Sequence, residues 1–96
     1  MSANLTTHAS ERAKVRGIPM RIVEAIYNNA DWSVSVGKGC QALTVSRKQL
    51  DQLTEVIPAA DRERMKNIAL VTDAFSNSII TVLHIRSRKA RHYYRR

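Results

Sequence analysis

The chain has 96 residues and a formal net charge of +8, from sixteen basic and eight acidic residues. This length predicts a single domain over residues 1–96 with one modest hydrophobic core. A hydrophobic content of 44% argues against disorder throughout. No apolar run approaches the roughly 20 residues that span a bilayer, and the first residues lack the features of a secretory signal. We therefore expect a cytoplasmic protein without a membrane partner.

The residue types that carry metal, disulfide or nucleophilic chemistry are sparse. Cys40 is the single cysteine, which excludes an intramolecular disulfide and a cysteine-rich zinc site. The three histidines, His8, His84 and His92, are too far apart in sequence for metal-ligand spacing. Gly37-Lys38-Gly39 is too short for a phosphate loop. We expect no metal and no cofactor, and neither a metalloenzyme nor a covalent hydrolase.

The first third of the chain predicts two helices. Residues 1–6 are expected to be a loose lead-in, and Thr7 is expected to cap a helix over residues 8–16. Pro19 suits the first position of a second helix, which extends over residues 20–29 and has an apolar stripe at helical spacing. The two helices are expected to meet at a sharp angle because only Gly-Ile-Pro separates them.

After the second helix the apolar period changes from helical spacing to two. Trp32, Val34 and Val36 alternate with serines, which is typical of a half-buried strand. A turn at residues 37–39 and a returning strand at residues 42–45 complete a predicted β-hairpin. Trp32 is therefore expected to be a core residue rather than a platform for RNA.

Ser46 is expected to cap a helix with Leu50 on its inner side, and Pro58 ends that segment. Residues 59–66 are charged, and the pattern leaves a helical turn and a loop equally open. Two apolar runs follow at residues 68–72 and 79–85, joined by polar turn residues.

The predicted fold class is α+β, with two N-terminal helices followed by a mainly antiparallel four-stranded sheet. Helices are expected to cover one face, residues 7–85 to form the core, and residues 86–96 to form a basic tail. That tail carries six basic residues and no acid, which leaves the rest of the chain close to charge balance. It serves solubility alone, or it contacts phosphate or an acidic protein.

The opening of the chain has a His-x3-Arg-x3-Arg-Gly-Ile pattern, formed by His8, Arg12, Arg16, Gly17 and Ile18. This pattern resembles the start of a small bacterial domain of unknown function. The runs at residues 70–73 and 79–82 look like the two closing strands of that domain. The resemblance covers roughly residues 7–85.

That family is distantly similar to the RelE and BrnT toxins, within a broader group of small nucleases. The resemblance implies a RelE-like fold in which basic residues on or after the last strands bind RNA or another polyanion. It also implies a ribonuclease of a toxin–antitoxin pair, in which an acidic antitoxin blocks the same face. Fold alone does not establish function.

A metal-independent ribonuclease needs proton-transfer groups and cations around the phosphate. The candidate catalytic residues are His8, Arg12 and His84. A helix N-terminus favours the neutral imidazole of His8, and Arg12 lies one turn further on. As alternatives, His8 is a capping residue, Arg12 pairs with an acid, and His84 is a half-buried core residue.

The candidate residues for binding RNA or phosphate lie mainly in the basic tail, where aromatic rings can stack on bases or pack the tail onto the body. They are Arg16, Arg86, Arg88, Lys89, Arg91, His92, Tyr93 and Tyr94. The alternative function is a non-enzymatic phage or mobile-element protein that binds and inhibits a host protein or nucleoprotein complex. That function requires the charge and an apolar patch, and it does not require the histidines.

Overall fold

A computed structural model describes residues 3–94 of the chain. The elements in order are α1 (Thr7–Val15), α2 (Met20–Asn29), β1 (Trp32–Gly37), β2 (Cys40–Thr44), α3 (Arg47–Asp51), α4 (Ala59–Lys66), β3 (Ile68–Asp73), β4 (Ile79–His84) and α5 (Arg88–Tyr94). The strands form one sheet in the order β1-β2-β3-β4, and every pairing is antiparallel. The predicted α+β fold, with two N-terminal helices and a four-stranded antiparallel sheet, is confirmed.

The main core lies between one face of the sheet and the helices α1, α2 and α4. Helix α2 contributes Ile22, Val23 and Ile26, which are all fully buried. These residues recur at helical spacing, so a single side of α2 faces the sheet, as the sequence pattern predicts. Strand β3 contributes Ile68 and Leu70 from the facing side of the sheet.

Helix α1 packs closely along the outer strand β4. Its inward residues, Ala9 and Ala13, are buried, and their small side chains allow a close approach. The N-cap is Thr6 rather than the predicted Thr7, since the Thr6 hydroxyl accepts a hydrogen bond of 3.1 Å from the Ala9 amide. The helix therefore begins one residue earlier than the sequence indicated, within the usual uncertainty of helix ends.

Residues 4–6 are bound to the edge of β4 instead of forming a loose lead-in. The Ile79 amide donates to the Asn4 carbonyl at 2.8 Å, and the Thr6 amide donates to the Ile79 carbonyl at 3.0 Å. The Thr6 hydroxyl also donates to the carbonyl of Ile80 at 3.4 Å. The prediction missed this pairing because the free edge of a strand binds whichever segment tertiary packing brings to it.

The second face of the sheet is covered by α5. Leu43 packs against the main core, so its neighbour Thr44 points to the opposite face. There the Thr44 hydroxyl donates to the Tyr94 carbonyl at 3.0 Å. Trp32 pairs with Thr44 in register, so the apolar side of β1 faces α5 rather than the N-terminal helices. The sheet consequently has helices on both faces, where one covered face was expected.

Helix α5 lies in the segment that was predicted to be a basic tail. The Ser87 hydroxyl accepts a hydrogen bond of 3.0 Å from the Ala90 amide, which is an N-cap geometry. The tail is therefore helical over Arg88–Tyr94, and Arg95 and Arg96 lie outside the described residues.

Residues 59–66, for which the sequence left a helical turn and a loop open, form helix α4, with Asp61 in its first turn. Within residues 3–94, no helix is long and apolar enough to cross a membrane.

Replacing Ile22 with alanine tests the position of the main core. Ile22 has no solvent exposure, so Ile22→Ala should lower the free energy of unfolding by about 2–5 kcal/mol. Val56→Ala is the matched control, because 76% of Val56 is exposed and its loss should cost under about 0.5 kcal/mol. Urea denaturation measures both values. Equal losses for the two variants would contradict this core.

Candidate anion-binding site

His84 is the last residue of β4 and lies at the end of the sheet opposite the β1–β2 turn. It pairs with Ile68 in register, which places it on the face of the sheet that carries the main core. The residue is only partly buried, because the helix layer does not fully cover the end of β4. This position matches the predicted half-buried histidine and leaves part of the imidazole accessible.

The end of α1 lies beside this imidazole. The Ile18 amide donates to the Ala13 carbonyl at 2.8 Å, and the Gly17 amide donates to the Lys14 carbonyl at 3.1 Å. These two bonds form a Schellman motif, which requires the left-handed conformation that Gly17 adopts at φ +67°. The motif ends α1 abruptly after Arg16 and exposes the Gly17 carbonyl to the neighbouring elements.

Two arginines from different helices are fixed at this point by backbone carbonyls. The Arg16 guanidinium donates to the carbonyl of Val82, two residues before His84 on β4. Arg64, from α4, donates to the Gly17 carbonyl at 2.6 Å. Each guanidinium has five N–H donors, so one hydrogen bond to a carbonyl leaves donors for another ligand.

A third arginine follows β4 directly. One Arg86 nitrogen lies 3.4 Å from Nδ1 of His84, and the Arg86 side chain is exposed. The positive charges of Arg86, Arg16 and Arg64 all act on His84 at the end of β4, and we call these four residues the cationic cluster. Its three arginines come from three separate parts of the chain, namely the end of α1, α4 and the segment after β4.

The electrostatics of the cationic cluster favour a neutral imidazole. Burial lowers the pKa of His84 below its ordinary value, and the charges of Arg86, Arg16 and Arg64 lower the pKa further. Among residues 3–94 the side-chain ion pairs are Arg21–Asp61 and Lys66–Glu63, so no acid of this range pairs with the cluster. The cluster therefore holds three permanent cations and one neutral base.

This arrangement suits an anion with several oxygens. Guanidinium groups bind phosphate in a bidentate geometry, so Arg16 and Arg64, which are held by carbonyls, and the exposed Arg86 can each offer donors to phosphate oxygens. An imidazole that is neutral near pH 7 can accept a proton. The site thus combines the two requirements of phosphate chemistry without a metal, which are cations for charge and a base for a hydroxyl group.

The predicted catalytic residues of α1 lie apart from these contacts. His8 and Arg12 are exposed, while the inward side of α1 is formed by Ala9 and Ala13. Within the described range, no hydrogen bond or ion pair joins His8 or Arg12 to His84. The structure brings together Arg16, His84 and Arg86 from the predicted set, and a catalytic group of His8, Arg12 and His84 stays a prediction.

Arg64 was missed by the sequence reasoning. It lies in the segment 59–66, where the charged pattern did not distinguish a helix from a loop. The available signal was a helix start, with Pro58 followed three residues later by Asp61. Even with that helix assigned, the contact between Arg64 and Gly17 depends on tertiary packing and has no local signal in the sequence.

The other predicted phosphate-binding residues lie on α5. Arg88, Lys89, Arg91 and His92 are exposed, and no described ion pair engages their side chains.

Within residues 3–94 no group of three or more His, Cys, Asp and Glu side chains is positioned to hold a metal ion. Comparisons with protein-family models, curated proteins and solved structures found no match.

The lowered pKa of His84 predicts a pH dependence of stability. An unfolded histidine titrates near 6.5, so the unfolded chain binds more protons than the folded chain below that pH. The stabilising contribution is fully present above about pH 6.5 and is lost as the pH falls through the folded pKa. Urea denaturation between pH 5 and 8 should show this component in the native protein and not in His84→Gln.

The same shift can be read directly by NMR. The imidazole of His84 should titrate below its ordinary value, and Arg86→Gln should move its pKa upward because one of the nearby positive charges is removed. Lys38→Gln, at the β1–β2 turn on the far end of the sheet, is the control and should leave the titration unchanged. A His84 pKa above 6.5 in the native protein would contradict the described environment.

Proposed function

We propose that the protein binds RNA through its phosphate backbone, with the cationic cluster as the principal contact. The observation that carries this proposal is that the charges of Arg16, Arg64 and Arg86 all act on His84, while no acid among the described residues pairs with these arginines. Cations held together in this way repel one another, and an external polyanion relieves that repulsion. A chain of phosphates provides such a ligand.

Two further properties support RNA over a small isolated anion. The net charge of +8 favours long polyanions, since each neutralised phosphate releases counterions. Helix α5 adds exposed cations and two tyrosines in the segment directly after the cluster. The resemblance of the opening His-x3-Arg-x3-Arg-Gly-Ile pattern to a family related to RelE and BrnT toxins points to the same class of ligand.

The finer proposal is a metal-independent endoribonuclease. When Arg86 turns from Nδ1 of His84 to the phosphate, that nitrogen of the neutral imidazole removes the proton of a 2′-hydroxyl group, and the oxygen attacks the adjacent phosphorus. The 5′-oxygen leaves with a proton from solvent, and the arginines stabilise the additional negative charge of the transition state. In a toxin–antitoxin pair, an acidic antitoxin would block this activity by supplying the carboxylates that the cluster lacks.

The alternative is a non-enzymatic protein that binds a host protein or nucleoprotein complex. Such a contact needs an exposed apolar patch. The large apolar side chains that are most exposed, Val15, Val56 and Phe75, lie on three separate segments of the chain. Exposed apolar residues are common on protein surfaces, so these residues alone do not indicate a protein-binding patch.

Arg86→Gln tests RNA binding at the cluster with the least structural disturbance, because the Arg86 side chain is exposed and its described side-chain contact is His84. Fluorescence anisotropy with a labelled RNA should show weaker binding. The slope of log K against log salt concentration should fall by about 0.7 for each lost phosphate contact. Lys38→Gln removes the same charge at the far end of the sheet and should have a much smaller effect.

Equal losses for Arg86→Gln and Lys38→Gln would show that binding depends on overall charge and not on the cluster. RNA affinity that is insensitive to salt would contradict phosphate recognition altogether. In that case, capture of partners from lysate with and without nuclease would test the protein-binding alternative, since protein partners survive the nuclease.

Cleavage is tested separately from binding. His84→Gln should abolish RNA cleavage while leaving RNA affinity within about threefold, because neutral histidine contributes no charge to binding. The cleavage rate of the native protein should rise with pH through the lowered pKa of His84 and then level off. RNA in which the 2′-hydroxyl is replaced by hydrogen should bind and stay intact. Intact RNA with the native protein under all conditions would contradict the enzymatic proposal and leave RNA binding standing.

A further inference from the structure

Helix α5 carries a concavity of about 560 Å³ beyond the cationic cluster. It is lined by Ser87, Lys89, Ala90, His92, Tyr93 and Tyr94. Ala90 and the two tyrosine rings provide apolar and aromatic surface, while Lys89 and His92 provide exposed polar groups beside it. Aromatic surface next to cationic groups is the chemistry that binds a nucleobase together with its phosphate.

Tyr93 is exposed and yet held in a fixed orientation. About half of the residue is accessible, at 49%, and its hydroxyl donates to the Ser35 carbonyl of β1 at 3.4 Å. Its ring meets that of Tyr94 edge to face, with centroids 4.8 Å apart and planes at 85°. Tyr94 is in turn anchored, since its carbonyl accepts from the Thr44 hydroxyl at 3.0 Å. The exposed ring surface is therefore available without a large ordering cost.

We propose that Tyr93 is a base-stacking platform that makes the protein selective for single-stranded over double-stranded RNA. This inference rests on the proposed RNA binding and adds the substrate class to it. In a duplex the faces of the bases are covered by neighbouring base pairs, whereas unstacked bases of a single strand can lie against an aromatic ring. The cationic cluster alone contacts phosphate, which both kinds of RNA possess.

The position of α5 allows one strand to reach both sites. Arg88, the first residue of α5, follows Arg86 of the cluster by two positions. A rise of roughly 1.5 Å per residue puts Tyr93 about 7–8 Å beyond Arg88 along the helix axis. Because α5 lies on the sheet face opposite His84, a strand with a phosphate at the cluster and a base on Tyr93 passes around the end of β4, where Arg88 and Lys89 follow.

The test compares a single-stranded RNA with a perfect duplex of the same sequence and length, with affinities measured by fluorescence anisotropy. Tyr93→Ala should weaken binding of the single strand about tenfold, because one stacked base loses its aromatic partner, and should leave duplex affinity within about twofold. Tyr93→Phe keeps the ring and removes the hydrogen bond to Ser35, so it should retain most of the preference. Circular dichroism confirms that each variant is folded.

Equal affinity of the native protein for both RNAs, or equal losses for both in Tyr93→Ala, would overturn the stacking role while leaving phosphate binding intact. Absence of salt-dependent binding to either RNA would instead overturn the proposed function itself, so the two failures are distinguishable. A soluble acidic polypeptide serves as a third ligand. If it bound more tightly than single-stranded RNA in a manner that depended on Tyr93, the concavity would be a protein-binding site and the inference would be wrong.

Discussion

The close packing of α1 on β4 is the constraint on which the site depends. Ala9 and Ala13 are the buried residues of α1, and a larger side chain at either position would force the helix away from the strand. Because the helix lies this close, Arg16 at its end reaches the Val82 carbonyl. The same contact supplies a donor to the free edge of β4, which residues 4–6 cover further along the strand. One packing interaction thus seals a sheet edge and fixes a cation next to His84.

The abrupt end of α1 is the second feature on which the site depends. The Schellman motif at Gly17 turns the chain into α2 and exposes a carbonyl that Arg64 binds. This bond ties α4 to the end of α1, so three elements converge where β4 ends. Positive charges that act on the same residue without a carboxylate partner among the described residues repel one another, and a bound anion would offset that repulsion. In the function that we propose, the cluster would recognise the phosphate of RNA and α5 would recognise the base.

Much of the architecture is visible in the sequence because it depends on local patterns. The alternation of Trp32, Val34 and Val36 identifies β1, and the spacing of Ile22, Val23 and Ile26 identifies the buried side of α2. The features that were missed depend on contacts between distant residues. No local pattern reveals that residues 4–6 pair with β4, or that the apolar side of β1 faces α5. Helix α5 did have a local signal, the Ser87 cap, but the density of basic residues after it led to the prediction of a basic tail without a helix.

In the candidate site, too, some features have a local signal in the sequence and others depend on contacts between distant residues. His84, Arg86 and Arg16 could be selected from the sequence because they lie at the end of a strand or within a recognisable opening pattern. Their arrangement at the end of β4 could not be predicted, since it depends on the angle between α1 and β4 and on an arginine from α4.

The most direct test of the account is an NMR titration of isotope-labelled protein with a short single-stranded RNA. The account predicts that the largest chemical-shift changes occur at Arg16, Arg64, His84 and Arg86 and extend onto α5. Changes confined to the exposed side of α2 or to the β1–β2 turn would contradict it.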